Sequence, residues 1–135
     1  MYIAVSDMPK ENIPFIGHYK ALVVDDARAI LAIMEQLIGL SGGRAYTAAT
    51  EEQALALSDK HEFDIVILDH ILEETTGLEL LVKLRAKRPL LKAILISASF
   101  CPSEEEIRSY KFSAFLKKPF DLTEMIMAVK KTLGR

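Results

Sequence analysis

Five short apolar runs alternate along this chain with five stretches of helical periodicity, and that alternation leaves little choice of fold. The runs are ALVV (21–24), RAYTA (44–48), DIVILD (64–69), KAILIS (92–97) and SAFLK (113–117). Consecutive strands joined by crossovers of helical length run parallel, and a mostly parallel sheet must be covered on both faces. Right-handed crossovers then predict a doubly wound α/β sheet, with its ligand crevice at the carboxyl ends of the strands. DIVILD is the clearest central strand, whereas RAYTA is weaker and belongs near an edge.

The intervening stretches carry their own start and stop signals. Ile30, Leu31, Met34, Leu37 and Ile38 recur at three- and four-residue spacing, and Gly42-Gly43 ends that helix. Thr50 to Gln53, Ser103 to Glu106 and Asp121 to Glu124 each read as capping boxes. A further helix follows Gly77 through LELLVKLRAKR and is ended by Pro89. Residues 1–18, with Pro9, Pro14 and Gly17, lie outside the pattern and are expected to form an N-terminal arm. A disordered leader is the plainer expectation for it; packing of Ile13, Phe15 and Ile16 on the domain or a partner is the alternative. The domain itself is expected over 19–135.

Composition narrows the function classes. A chain of 135 residues, half of them apolar and 27% charged, suits one compact globular domain. A net charge of −2 with both signs scattered gives no basic face for direct nucleic-acid binding. No apolar run approaches a membrane span, and MYIAVSDMPKENIPF lacks the basic start and apolar core of a signal peptide. The single cysteine, Cys101, has no internal disulfide partner and no zinc-spaced neighbours, so a cytoplasmic location is expected.

Four polar signals each stand at the end of an apolar run: Asp25-Asp26, Asp69, Ser97 and Lys118-Pro119. In a parallel sheet those ends share one edge, so distant segments would build one pocket. Adjacent carboxylates in a cleft repel unless a cation lies near them, and hard oxygen ligands without cysteine or paired histidine suit Mg2+ or Mn2+. Asp26 could equally cap the following helix. Asp69, ending the most apolar run, costs desolvation unless paired or metal-bound, and an aspartyl phosphate is a known covalent intermediate. The Ser97 hydroxyl could donate to a phosphoryl oxygen, and the Lys118 ammonium could reach Asp69 or an incoming phosphoryl group as a point charge. Each is also ordinary alone: a serine at a strand end, or a solvated lysine. The bond before Pro119 is a candidate cis peptide.

With LVVDD, DIVILD, Gly77 eight residues after Asp69, Ser97-Ala98 and Lys118-Pro119-Phe120 in place, the chain resembles the receiver domain of two-component response regulators over about residues 19 to 134. That resemblance implies a flavodoxin-like, chemotaxis-regulator-like fold with five strands ordered 2-1-3-4-5 and five helices. It implies that Asp69 accepts a phosphoryl group from a sensor histidine kinase or a histidine phosphotransfer protein. Mg2+ (or Mn2+) would be held by Asp26, Asp69 and the backbone carbonyl of Ile71, with Asp25 bound through water. Ser97 and Phe115 would form the switch: the hydroxyl moves toward the phosphoryl group and the aromatic ring rotates inward behind it. The implied role is a signalling switch rather than a turnover enzyme, with a downstream protein partner and a homodimer among the expected assemblies.

Some residues depart from the family pattern. Leu72-Glu73 stands where many receivers have Met-Pro, and Glu73 and Glu74 add negative charge near the pocket mouth. An apolar Ile71 cannot orient an attacking water, so slow autodephosphorylation is expected. His70 is expected to face away from the pocket, since adjacent strand residues point to opposite faces. A non-phosphorylated pseudo-receiver is the alternative function. A phosphohydrolase forming an aspartyl phosphate is disfavoured, because Ile71 occupies the position where such enzymes carry a second aspartate.

Overall fold

The computed structural model describes residues 13–99 and 101–135; residues 1–12 of the expected arm, and Phe100, lie outside the described residues. The elements follow in strict alternation: β1 (Lys20–Val24), α1 (Arg28–Leu40), β2 (Arg44–Ala48), α2 (Glu51–Lys60), β3 (Ile65–Asp69), α3 (Gly77–Lys87), β4 (Lys92–Ser97), α4 (Glu104–Ser109), β5 (Ala114–Lys117) and α5 (Leu122–Thr132). All neighbouring strands pair parallel, in the order β2-β1-β3-β4-β5, as the family resemblance implied. RAYTA is an edge strand, as its weaker pattern indicated.

The period-two alternation of the strands divides the core. Ala21, Val23, Ile65, Ile67, Ile94 and Ile96 face one cluster, built with α1 and α5. Leu22, Val24, Val66, Leu68, Ala93 and Leu95 face the other, built with α2 and α3. Both faces of the central strands are dry, which is why those runs are continuously apolar.

The capping boxes are realised unequally. Ser103 and Glu106 close both reciprocal bonds at α4. At α2, Thr50 accepts from the Gln53 amide, but the Gln53 side chain accepts from Ala49 N instead of Thr50 N. At α5, Asp121 accepts from Thr123 N, two residues on, rather than from the Glu124 amide three residues on. Nor does Asp26 cap α1: Ala27 is the N-cap residue without a side-chain cap, and Asp25 Oδ1 accepts the Ala27 amide at 2.9 Å.

Of the arm, residues 13–18 are described, and Ile13 and Ile16 are buried in the α1–α5 cluster while Phe15 is exposed. Ile16 N donates to Ser41 O at 2.7 Å, and Arg135 donates to the carbonyls of Ile16 and His18. Gly42 and Gly43 make room for this segment. A Cβ on Gly42 would stand 2.5 Å from the Phe15 ring, and one on Gly43 would stand 2.4 Å from Tyr19; Gly42 also has a φ of +99°.

Candidate functional site

The register places the site. Val24 pairs with Leu68, so Asp25 and Asp69 leave adjacent strands side by side. Asp69 pairs with Ile96, so Ser97 ends β4 one step beyond it. Ser97 pairs with Lys117, which brings Lys118 to the same edge, and Lys118 N donates to Ser97 O at 2.9 Å. The Lys118–Pro119 peptide is cis.

Gly77 explains itself here. A Cβ at this position would lie 2.7 Å from the Asp69 carbonyl oxygen and 3.1 Å from His70 Cα. Its amide donates to His70 O at 2.7 Å, so α3 starts pressed against the end of β3. The connecting loop is tight: Leu72 N donates to Thr75 O, and Ile71 bridges Thr76. Leu72 is buried; Ile71, Glu73 and Glu74 are exposed.

Asp25, Asp26 and Asp69 each offer a carboxylate oxygen, and the three oxygens lie within 4.8 Å of one another. Asp25 and Asp69 are buried, and Asp26 is exposed at the mouth. The Lys118 ammonium meets Asp25 Oδ2 at 2.7 Å and Asp69 Oδ2 at 3.3 Å. The sequence pointed Lys118 at Asp69 or a phosphoryl group; its closer partner is Asp25. Burial raises the Asp69 pKa above the usual carboxylate range, Asp25 raises it further, Lys118 opposes both, and Asp26 adds a smaller upward push. Burial alone would lower the Lys118 pKa, but Asp25 and then Asp69 raise it.

Three carboxylates thus face one ammonium, which leaves the cluster short of positive charge. Hard, close oxygen donors in a partly open pocket fit a divalent cation of the Mg2+ or Mn2+ kind. The Asp69 pKa, raised by burial and by two neighbouring acids, is the physical sign of that deficit.

Ser97 is buried, and its Oγ accepts from Ser99 N at 3.3 Å. Phe115 pairs with Leu95 and packs half-buried against the α2–α3 cluster. Ile71 stands in the loop after Asp69 with its side chain 54% exposed. His70 is half-buried; burial lowers its pKa and the Glu106 charge raises it, so the charge it senses comes from α4.

Comparison with known proteins gives consistent results. The family model described as response regulator receiver domain matches residues 21–130. A probable transcriptional regulatory protein, TcrX of Mycobacterium tuberculosis, is 28% identical over 116 residues, covering 84% of this chain and 49% of TcrX. The chain spans about half the length of the curated relatives it matches. A CheY-like receiver domain structure from Methanospirillum hungatei superposes with a TM-score of 0.79 at 27% identity, covering 87% of this chain and 95% of that one. The response regulator TrrA of Thermotoga maritima, solved in complex with Mg2+-BeF, superposes at 0.73 with 29% identity, covering 84% of this chain and 98% of that one.

Proposed function

This chain belongs to the response regulator receiver domain family, and from that premise we propose that it is a phosphoacceptor switch with Asp69 as the acceptor. The observation that carries the reading is the convergence of Asp25, Asp26 and Asp69 within 4.8 Å, faced by Lys118.

The donor is a phosphohistidine on a sensor kinase or a histidine phosphotransfer protein. An Asp69 carboxylate oxygen attacks phosphorus; the P–O bond forms as the P–N bond breaks, and the imidazole nitrogen leaves with the electron pair and takes a proton from solvent. When a divalent cation is bound by Asp26, Asp69 and the Ile71 carbonyl, it supplies the charge neutralisation that lets a phosphoryl anion approach. Asp25 holds the Lys118 ammonium in reach of Asp69, ready to pair with a phosphoryl oxygen. Ser97 Oγ turns from the Ser99 amide toward the phosphoryl group, and Phe115 repacks behind it. The exposed apolar Ile71 places no polar group to direct water, so the phosphoryl group should outlast seconds at room temperature. The domain undergoes self-phosphotransfer and autodephosphorylation rather than catalytic turnover, and its output is a changed protein-binding surface in the cytoplasm.

The test is phosphorylation by acetyl phosphate with and without Mg2+, comparing wild type with Asp69→Ala on a phosphate-affinity gel. A Mg2+-dependent shifted band, lost in the variant, is expected. No shifted band, together with no response to beryllofluoride or to a histidine kinase, would overturn the reading in favour of a pseudo-receiver.

A further inference from the structure

α4 is attached to the domain very differently at its two ends. The helix Glu104–Ser109 has no buried residue, and Ile107 and Tyr110 pack only partly against the α2–α3 cluster. Its carboxyl end is fixed by one side chain from α3. Arg85 Nε and Nη2 donate to Leu91 O at 3.0 and 2.8 Å, Nη1 donates to Tyr110 O, and Nη2 also reaches Lys111 O at 3.1 Å. Lys111 has a φ of +53°, a conformation that a non-glycine residue adopts at some cost, and Phe112 just after it is buried. A half-buried guanidinium satisfied by three carbonyls is costly to detach, because each lost bond leaves a charged donor without a partner.

The amino end is tied instead to the reacting site. It follows the loop after Ser97, where Ser99 N donates to Ser97 Oγ at 3.3 Å. A turn of Ser97 Oγ toward a phosphoryl group would therefore release the loop at this end and leave the Arg85 contacts untouched.

We propose that Arg85 is a positioning residue that pins the carboxyl end of α4 to α3, so that modification of Asp69 moves α4 as a pivot about that end. The inference rests on the phosphoacceptor reading. The pivot confines the signal-dependent surface to the first turn, with Glu104 and Glu105 exposed on it. The Tyr110 end keeps its place in both states.

Cys101 is the chain's single cysteine and is exposed before α4, so a nitroxide there reports the amino end. Ser109→Cys in a Cys101→Ser background reports the other end. Mg2+ and beryllofluoride are added to the full chain, and a rise in melting temperature that Asp69→Ala abolishes shows that they have bound. The expected result is a spectral change at Cys101 with none at position 109, and a change at both positions in Arg85→Met. Equal changes at both ends of the wild type, or a wild-type pattern in Arg85→Met, would overturn the pivot. Arg85→Lys keeps a cation but cannot serve three carbonyls at once, so it should give the same loss of end-to-end difference if Arg85→Met fails to fold. If beryllofluoride gives no Asp69-dependent rise, and acetyl phosphate and a histidine kinase give no shifted band, the phosphoacceptor reading fails. The pin is then judged without ligand: Arg85→Met must mobilise the label at 109 and leave that at 101 unchanged, and an immobile label at 109 would overturn it.

Discussion

Lys118 holds its ammonium 2.7 Å from an oxygen of Asp25, a side chain with no solvent exposure at all. The lysine therefore neutralises a buried carboxylate more closely than it does Asp69, 3.3 Å away. Lys118→Ala should leave a buried charge unpaired. Removing one partner of a buried pair costs about 3–5 kcal/mol, and the open mouth at Asp26 reduces this to about 2–3 kcal/mol. Urea unfolding in Mg2+-free buffer checks it, and saturating Mg2+ should recover part of the loss. A loss below about 0.5 kcal/mol would show that water screens Asp25.

The raised Asp69 pKa has a definite sign in stability. The folded chain binds the Asp69 proton more tightly than the unfolded chain does, so stability falls as pH rises from the ordinary value of 3.8 through the raised folded value. Above that window the charged Asp69 opposes folding in full. Asp69→Asn should therefore melt above wild type at neutral pH without Mg2+, and the difference should shrink as pH falls toward about 4. Lys118 behaves oppositely at the alkaline end: its stabilisation is present below 10.5 and lost as pH rises through its raised folded value. A pH-independent gap between wild type and Asp69→Asn would contradict the first assignment.

Divalent cation should stabilise the fold through the same cluster. Mg2+ at about 100 times its Kd adds about 2.7 kcal/mol if it binds only the folded chain. Asp26 is exposed, so Asp26→Asn should remove most of that gain without damage to the core. Thermal melts over a Mg2+ series decide the matter, and equal shifts in both proteins would place the cation elsewhere.

Gly77→Ala should disturb the site from outside it. The added methyl would meet the Asp69 carbonyl oxygen at 2.7 Å, with backbone rather than a yielding side chain as its neighbour. Overpacking of this kind costs about 1–3 kcal/mol. Both the melting temperature and beryllofluoride binding should fall, and an unchanged affinity would show that α3 can retreat without moving β3.

Ile16→Ala should cost about 2–4 kcal/mol, the usual penalty for truncating a buried isoleucine. Removing residues 1–18 should lower the melting temperature further, because Ile13 is buried in the same cluster. An unchanged melt after truncation would restore the view of the arm as a leader with no structural part.

Much of this protein is legible in local pattern. The alternation of apolar runs and amphipathic stretches sets all ten elements, because strand and helix periods differ and both are written within a few residues. The positions of Asp25, Asp69, Ser97 and Lys118 at run ends put them on one edge, because a parallel sheet aligns its strand ends. The ordering of that sheet came from family resemblance rather than from periodicity. Local pattern was less reliable for the helix starts. It promised reciprocal boxes at Thr50 and Asp121, where side-chain reach chose other amides.

What the sequence determined by itself, then, is which strand residues are buried, which elements form and which polar groups reach the site edge; all of these follow from short-range periodicity. Tertiary structure alone decided that Lys118 sits nearer Asp25 than Asp69, that Arg85 gathers the carbonyls of Leu91, Tyr110 and Lys111, and that Ile13 and Ile16 fill space beside α1 and α5. Each of these is a through-space distance between segments far apart in the chain. Such distances are fixed by strand register and helix packing, to within fractions of an ångström, and no local pattern of residue types encodes them.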